Sequence, residues 1–226
     1  MEEVIKLHLA IIPDGNRRWA KRAALRPWEG HEAGMTSFKE ILLWAVKQPQ
    51  LGVLTIWGFS TENWNRSEAE VSHLMKYYEQ WLVEQRQVFH EHKTRLIHSG
   101  RRDRIPASLA KLLEDVVRET KHYTDFTLNF ALDYGGKDEI VRAVNKLLGE
   151  TTITEESLRA GFDHPDMPDI DIIVRTSGEQ RISNFFMWQG AYAELFFINC
   201  FFPDLKVADL ENVLAQYATR QRRFGK

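Results

Sequence analysis

Two stretches of the chain bring together residue types that hold phosphate. Residues 175–183, RTSGEQRIS, carry two arginines, several hydroxyls and a glycine between an apolar run (170–174) and an aromatic one (185–188). A guanidinium fork matches the oxygens of phosphate or carboxylate, and glycine lets backbone N–H groups approach an anion closely. These types point to an anion pocket at a strand end; a solvated loop with two surface arginines is the plainer alternative. Asp14-Gly15-Asn16-Arg17-Arg18 offers a similar set at the start of a helix pattern, where free N–H groups and a partial positive charge favour phosphate. Asp14 does not suit a bare anion. It suits a Mg²⁺ bridging to phosphate oxygens, or else Asp14 or Asn16 is simply a helix cap.

Other candidates carry weaker signals. His31 precedes a helix pattern and reads first as a structural hydrogen-bonder. Arg26 could contact phosphate or remain a surface charge. Ser60, Asn63, Trp64, Arg66 and Glu70 mix hydrogen-bonding groups with an aromatic; Trp64 most simply packs the loop down. Glu194 stands before Leu195-Phe196-Phe197, where a carboxylate near burial needs a partner. Mg²⁺ would serve, and so would Arg175 or Arg181. Tyr77, Tyr78, Trp81 and Phe89 form a stripe that reads as core, although it would also suit an oily tail beside an anion site.

The elements that must position these groups follow from the apolar periodicity. Strands are expected over 7–12, 53–59, 94–98, 126–132, 169–174 and 195–200, and helices over 17–24, 32–48, 67–92, 106–122, 138–148 and 207–220. Pro27 and Gly30 read as an interruption between the first two helices, and 60–67 as a polar loop. Strands alternating with helices imply an α/β fold in one domain over 1–226: a mostly parallel six-stranded sheet with helices on both faces. In such sheets ligands bind beyond the carboxyl ends of the strands. PDGNRR, STENWNR, DYGG and RTSGEQRIS each follow a predicted strand, so four loops are placed to converge on one site.

Composition narrows the function classes. The chain has 226 residues, 43% of them hydrophobic, with no apolar run of bilayer length and no signal-peptide pattern. One cysteine, Cys200, allows neither an intrachain disulfide nor a cysteine metal cluster, and its apolar setting predicts a buried small hydrophobe. With 30 basic and 32 acidic residues the net charge is −2, which gives no basic face for nucleic acid. A cytoplasmic protein is expected.

HLAIIPDGNRRWAKR, FSTENWNRSEAEVSHLM, LNFALDYGG and DIIVRTSGEQRISNFFMWQGAYAELFF, with a terminal RRFGK, resemble in order the motif series of the cis-prenyltransferases, the undecaprenyl diphosphate synthase-like family. The resemblance implies a Mg²⁺-dependent enzyme that condenses isopentenyl diphosphate with an allylic diphosphate primer, farnesyl or geranyl diphosphate, into a Z-polyprenyl diphosphate. It implies that Asp14 holds the Mg²⁺ with help from Glu194. Gly15, Asn16, Arg17, Arg18, Trp19 and His31 would grip the allylic diphosphate, and Arg175, Arg181 and Ser183 the isopentenyl diphosphate. Ser60, Thr61, Glu62, Asn63, Trp64 and Arg66 would surround the reacting carbons, with Asp14 and Asn63 the catalytic pair. It further implies a homodimer in which Arg223-Phe224-Gly225 reaches the neighbouring site, and peripheral membrane contact for product release.

The chain departs from the family pattern at Arg17, where many members have glycine, and at Arg26-Pro27, where the family order is Pro-Arg. Trp81 is bulky on the helix that lines the family's product tunnel, so a shortened product is expected. The rival reading is a non-catalytic subunit of a heteromeric enzyme, which would have lost the metal and phosphate residues. Asp14, Arg18, Arg175, Arg181 and Glu194 are all present.

Overall fold

The computed structural model describes residues 6–220, and the Arg223-Phe224-Gly225 motif lies outside them. Along the chain run β1 (Leu7–Ile12), α1 (Asn16–Arg22), α2 (Pro27–Ala45), β2 (Leu51–Ser60), a 3-10 turn (Thr61–Asn65), α3 (Glu68–Glu91), β3 (Thr94–Ser99), α4 (Ala107–Thr120) and β4 (Phe126–Tyr134). Then come α5 (Gly136–Lys146), α6 (Glu155–Ala160), β5 (Ile172–Arg175), β6 (Glu194–Phe197), a second 3-10 turn (Phe202–Asp204) and α7 (Val207–Thr219). The strands form one six-stranded sheet in the order β3-β4-β2-β1-β5-β6, every pairing parallel. Alternation along the strands divides the core between the two faces. Leu9 and Ile11 join the larger cluster with Phe38, Trp81 and Leu128, while Ala10 and Ile12 join Trp57, Phe185 and Phe186 on the other side.

Strand order fixes where a ligand belongs. After β1 the chain crosses toward β2, whereas β5 lies on the opposite flank of β1 and leads on to β6. The carboxyl ends of β1 and β5 are therefore the topological switch point, where loops diverge and leave a crevice. Ile12 is in register with Arg175, so PDGNRR and RTSGEQRIS leave the sheet side by side.

Four local features differ from the sequence expectation. Helix α2 starts at Pro27 rather than 32, with proline in the first turn, where it lacks only an N–H that would have no partner. Gly30 lies inside that helix. The polar loop after β2 is a 3-10 turn, and α6 follows a Thr154 cap whose hydroxyl accepts from the Ser157 N–H at 3.2 Å. Strands β5 and β6 are four residues each, shorter than the apolar runs that signalled them.

Candidate active site

Two cavities open at the switch point and share a wall formed by Pro13, Asp14, Asn16, His31 and Arg66. The wider, about 800 Å³, is lined by the start of α1 through Arg17, Arg18 and Lys21 and by Leu25 and Pro27. The narrower, about 440 Å³, runs inward between sheet and helices, past Met35, Ile56, Trp57 and Tyr78, and its rim carries Ser60, Asn63, Arg175 and Ser183. Charge lies at the mouth and apolar side chains lie inside.

Asp14 stands where the cavities meet. Its Oδ2 accepts from Arg175 Nη2 at 2.8 Å and its Oδ1 from the Gly15 N–H at 2.6 Å. Burial acts to raise its pKa, but the Arg175 guanidinium and the Gly15 bond outweigh it and hold the carboxyl below its ordinary range. The carboxylate is ionised at neutral pH and keeps 28% of its side-chain exposure, so it faces the cavities. Gly15 has φ +101°, and a Cβ there would meet the Phe201 ring at 2.6 Å. Only glycine fits this turn without strain.

Helix α1 is seated against α2 by two glycines one turn apart. A Cβ on Gly30 would approach the Asn16 carbonyl oxygen to 2.1 Å, and one on Gly34 would approach Asn16 Oδ1 to 2.5 Å. Asn16 is buried, donates from Nδ2 to the Pro13 carbonyl at 2.8 Å, and its Oδ1 has no partner. Arg18 reaches Asp14 at 3.5 Å and Glu179 at 3.1 Å, and Glu179 also pairs with Arg181 at 2.6 Å. Glu179 therefore holds one arginine from each of the loops after β1 and β5.

At the wall the cavities share, a charge cluster surrounds one buried carboxylate. Glu70, 3% exposed, accepts from Arg66 Nη1 at 3.2 Å, with His31 at 3.9 Å and Arg17 at 3.8 Å. Arg66 also donates to His31 Nε2 at 3.2 Å, which places the imidazole proton on Nδ1. Burial first, then Arg66 and Arg17, push the His31 pKa down to about 3, so the ring is neutral at working pH.

Several residues assigned by resemblance do not line these cavities. Trp19 donates its indole N–H to Asp204 at 2.9 Å, and Trp64 donates its own to Asp133 at 2.8 Å while lining a separate groove against α3. Thr61 packs against Gly135. Arg181 projects outward to Glu179, although its backbone carbonyl accepts from Arg175. Glu62 lines the narrower cavity and bonds Asn184. Arg26 pairs with Glu29 and lies over Trp28, outside both cavities. DYGG buttresses the site rather than lining it.

Glu194 differs most from the expectation. It begins β6, three residues before the Phe197 that pairs with Arg175, which sets it about 10 Å back from the carboxyl edge. Its carboxylate pairs with Arg220, not with Arg175 or Arg181, and within one chain it is not brought to Asp14. No group of three metal-ligating side chains exists among the described residues. Mg²⁺ often binds through one or two carboxylates plus substrate phosphates, so the ionised, partly exposed Asp14 fits it without such a cluster. Cys200 is only half-buried, and burial pushes its thiol up to about 11, an inert setting.

Comparison with known proteins decides the family. The undecaprenyl diphosphate synthase family model matches residues 12–225. The chain belongs to that family, the cis-prenyltransferases. Prenyl transfer is its reaction class. It is 40% identical, over 98% of its length and 88% of the relative's, to a geranylgeranyl-diphosphate-specific tritrans,polycis-undecaprenyl-diphosphate synthase of Thermococcus kodakarensis. An isoprenyl transferase of Fusobacterium nucleatum is 42% identical over all of this chain and 98% of that one. The crystal structure of lavandulyl diphosphate synthase from Lavandula x intermedia, in complex with dimethylallyl diphosphate, superposes with a TM-score of 0.93 at 33% identity and full coverage of both chains.

Gly34 and Asn184 help hold the site together but escape a reading of the sequence, and Asp133 is read there only as part of the DYGG loop. The Gly30/Gly34 pair is visible there only as small residues four apart. Asp133 and Asn184 leave a faint sign, polar residues at strand and loop ends; both have positive φ, +53° and +72°.

Proposed function

We propose that the enzyme condenses isopentenyl diphosphate onto an allylic diphosphate primer, with Mg²⁺ at Asp14. The observation that carries this is the paired cavity with one ionised carboxylate at its junction. The wider cavity takes the allylic diphosphate head against Arg18, Lys21 and the first turn of α1, whose N–H groups lack intrahelical partners. The narrower, apolar cavity takes the hydrocarbon, and the rim at Arg175 and Ser183 orients isopentenyl diphosphate.

Bound Mg²⁺ would supply charge stabilisation to the departing diphosphate. Asp14 holds its negative charge, Arg18 and Arg66 present guanidiniums near the same oxygens, and their fixed positions suit charge that develops as the allylic C–O bond breaks. Ser60 and Asn63 face the cavity where the new carbon–carbon bond forms; neutral His31 adds no positive charge beside the developing allylic cation. The intact Asp14–Arg175 pair favours a working enzyme over a non-catalytic subunit.

A homodimer is part of the proposal, and the end of the sheet supports it. Strand β6 is an edge strand; Leu195 within it and Tyr192 just before it are exposed at 39% and 73%. The Glu194 carboxylate, turned away from its own chain's Asp14, would lie near that interface. No helix among the described residues is long and apolar enough to cross a membrane, and product release is proposed to occur at a membrane surface. Incubation with Mg²⁺, labelled isopentenyl diphosphate and a panel of allylic diphosphates, followed by product sizing, tests the activity. Elongation of at least one primer is expected; none with any primer overturns the proposal.

A further inference from the structure

Asn184, the residue after the RTSGEQRIS loop, holds three segments at once. Its Nδ2 donates to Glu62 Oε1 at 2.9 Å in the 3-10 turn after β2. Its Oδ1 accepts from the Lys137 N–H at 2.8 Å in the first turn of α5, and its carbonyl accepts from the Gly136 N–H at 2.7 Å. Gly135 is pressed into the same junction: a Cβ there would come within 2.5 Å of Thr61 Oγ1 and 2.8 Å of Asn184 Nδ2. The backbone is left-handed at both Ser183 and Asn184, with φ of +51° and +72°. Asparagine tolerates that conformation better than most residues, and such positions gather at functional sites.

Each neighbour of this junction belongs to a different half of the site. Ser183 accepts from Arg175 Nη1 at 2.9 Å on the isopentenyl side. Asn63 follows Glu62, and its Oδ1 accepts from the Ser60 N–H at 3.1 Å, which shapes the rim where the carbons react. We infer that Asn184 is a positioning residue that, through Glu62, fixes the 3-10 turn carrying Asn63 against the Arg175–Ser183 pair. This rests on the prenyl-transfer reading above. The carboxamide is suited to the task because one end donates and the other accepts, toward partners of opposite need. Glu62 carries the trace of the contact. Burial acts to raise its pKa, yet the Asn184 bond leads the interactions that hold it below the ordinary range.

An exchange of partners separates positioning from folding. N184D keeps the acceptor for Lys137 N–H, and a carboxylate at the start of α5 suits the helix dipole, but it faces the Glu62 carboxylate. The expected result is a variant that still folds cooperatively, with the like-charge contact lowering its thermal midpoint only modestly. The KM for isopentenyl diphosphate rises and kcat falls, together on the order of tenfold or more in kcat/KM, because small misplacements of reacting groups are costly. The primer KM stays near the parent's. Adding E62Q restores a donor toward the introduced carboxylate and recovers most of the loss. N184D within twofold of the parent, or E62Q/N184D no more active than N184D, overturns the inference. A parent that elongates no primer overturns it together with the prenyl-transfer reading, whereas a parent that elongates beside an unaffected N184D overturns this inference alone.

Discussion

Arg175 Nη2 donates to Asp14 Oδ2 across 2.8 Å, joining the loops after β5 and β1 at the switch point of the sheet. The contact does two things. It keeps the Asp14 carboxylate ionised, and it gives a guanidinium that is 5% exposed the partner its burial demands. Arg175 Nη1 donates to Ser183 Oγ and the Arg181 carbonyl, while the buried Nε has no partner, so one side chain shapes the loop after β5.

Replacing Asp14 by Asn therefore has two separable effects. Activity is expected to fall on the order of 10²–10³-fold in kcat, the scale of losing a preorganised electrostatic group. The variant is also expected to need far more Mg²⁺ for half-maximal rate. Stability is expected to drop by about 1–3 kcal/mol because Arg175 is left buried without its counter-charge, discounted for the partial exposure of Asp14. Steady-state rates across a Mg²⁺ titration and a urea melt check both. A Mg²⁺ dependence identical to the parent's would remove Asp14 from the metal site.

Glycine 30 tests the seating of α1. Alanine there would put a Cβ 2.1 Å from the Asn16 carbonyl oxygen, a backbone atom that cannot swing aside. Gly30→Ala is expected to cost about 1–3 kcal/mol, the usual range for overpacking. Moving α1 also moves Asn16 and Arg18, so the KM for the allylic primer should rise more than that for isopentenyl diphosphate. Equal changes in both constants would contradict the role given to α1.

The contrast between Gly30 and Asp14 shows what was legible beforehand. Strand order aside, the six strands and the loops that follow them could be read from short apolar runs ending in turn formers, and Asp14, Arg18 and Arg175 from their residue types. What escaped notice depends on partners far away in the chain. Gly30 looks like a helix breaker until α1 is laid on it. Trp19 and Trp64 stand among the substrate contacts only by resemblance; Asp204 and Asp133 take their N–H groups, and Trp64 packs its loop down on Phe59 as its residue type suggests. Glu194 sits in the family motif, but the register of β6 sets it back from the site and Arg220 pairs with it.

Acid should unfold the protein early. Burial lowers the pKa of His8 to about 4, of His31 to about 3 and of His98 to about 4, all from an ordinary 6.5. Between those values the unfolded chain binds protons that the folded chain excludes, so stability falls as pH drops below about 6.5. Each histidine contributes a slope of up to about 1.4 kcal/mol per pH unit. The thermal midpoint is expected to decline steeply from pH 6 to 4.5. His98→Gln, which removes one of these protonation sites, should flatten the decline. A midpoint unchanged between pH 7 and 5 would contradict the burial of neutral imidazoles.

Trp81 bears on product length. It is 3% exposed and packs with Phe38, Phe130 and Phe89 at ring distances of 5.8, 5.5 and 6.0 Å, one turn of α3 beyond the Tyr78 that lines the narrower cavity. Trp81 is thus the layer behind the cavity wall rather than part of its lining. Tyr78 is held by its hydroxyl, which donates to the Gly58 carbonyl at 2.6 Å, and its ring meets Phe130 edge-on. Trp81→Ala removes the support behind this aromatic wall, at a cost of about 3–5 kcal/mol. A hydrocarbon entering from the cavity can then push Tyr78 back into the vacated space. Products longer than the parent's are expected, sized by chromatography at a temperature where the variant remains folded. Trp81→Phe keeps most of the volume and should give the parent's length, so an unchanged length in both variants would mean that the cavity ends for another reason.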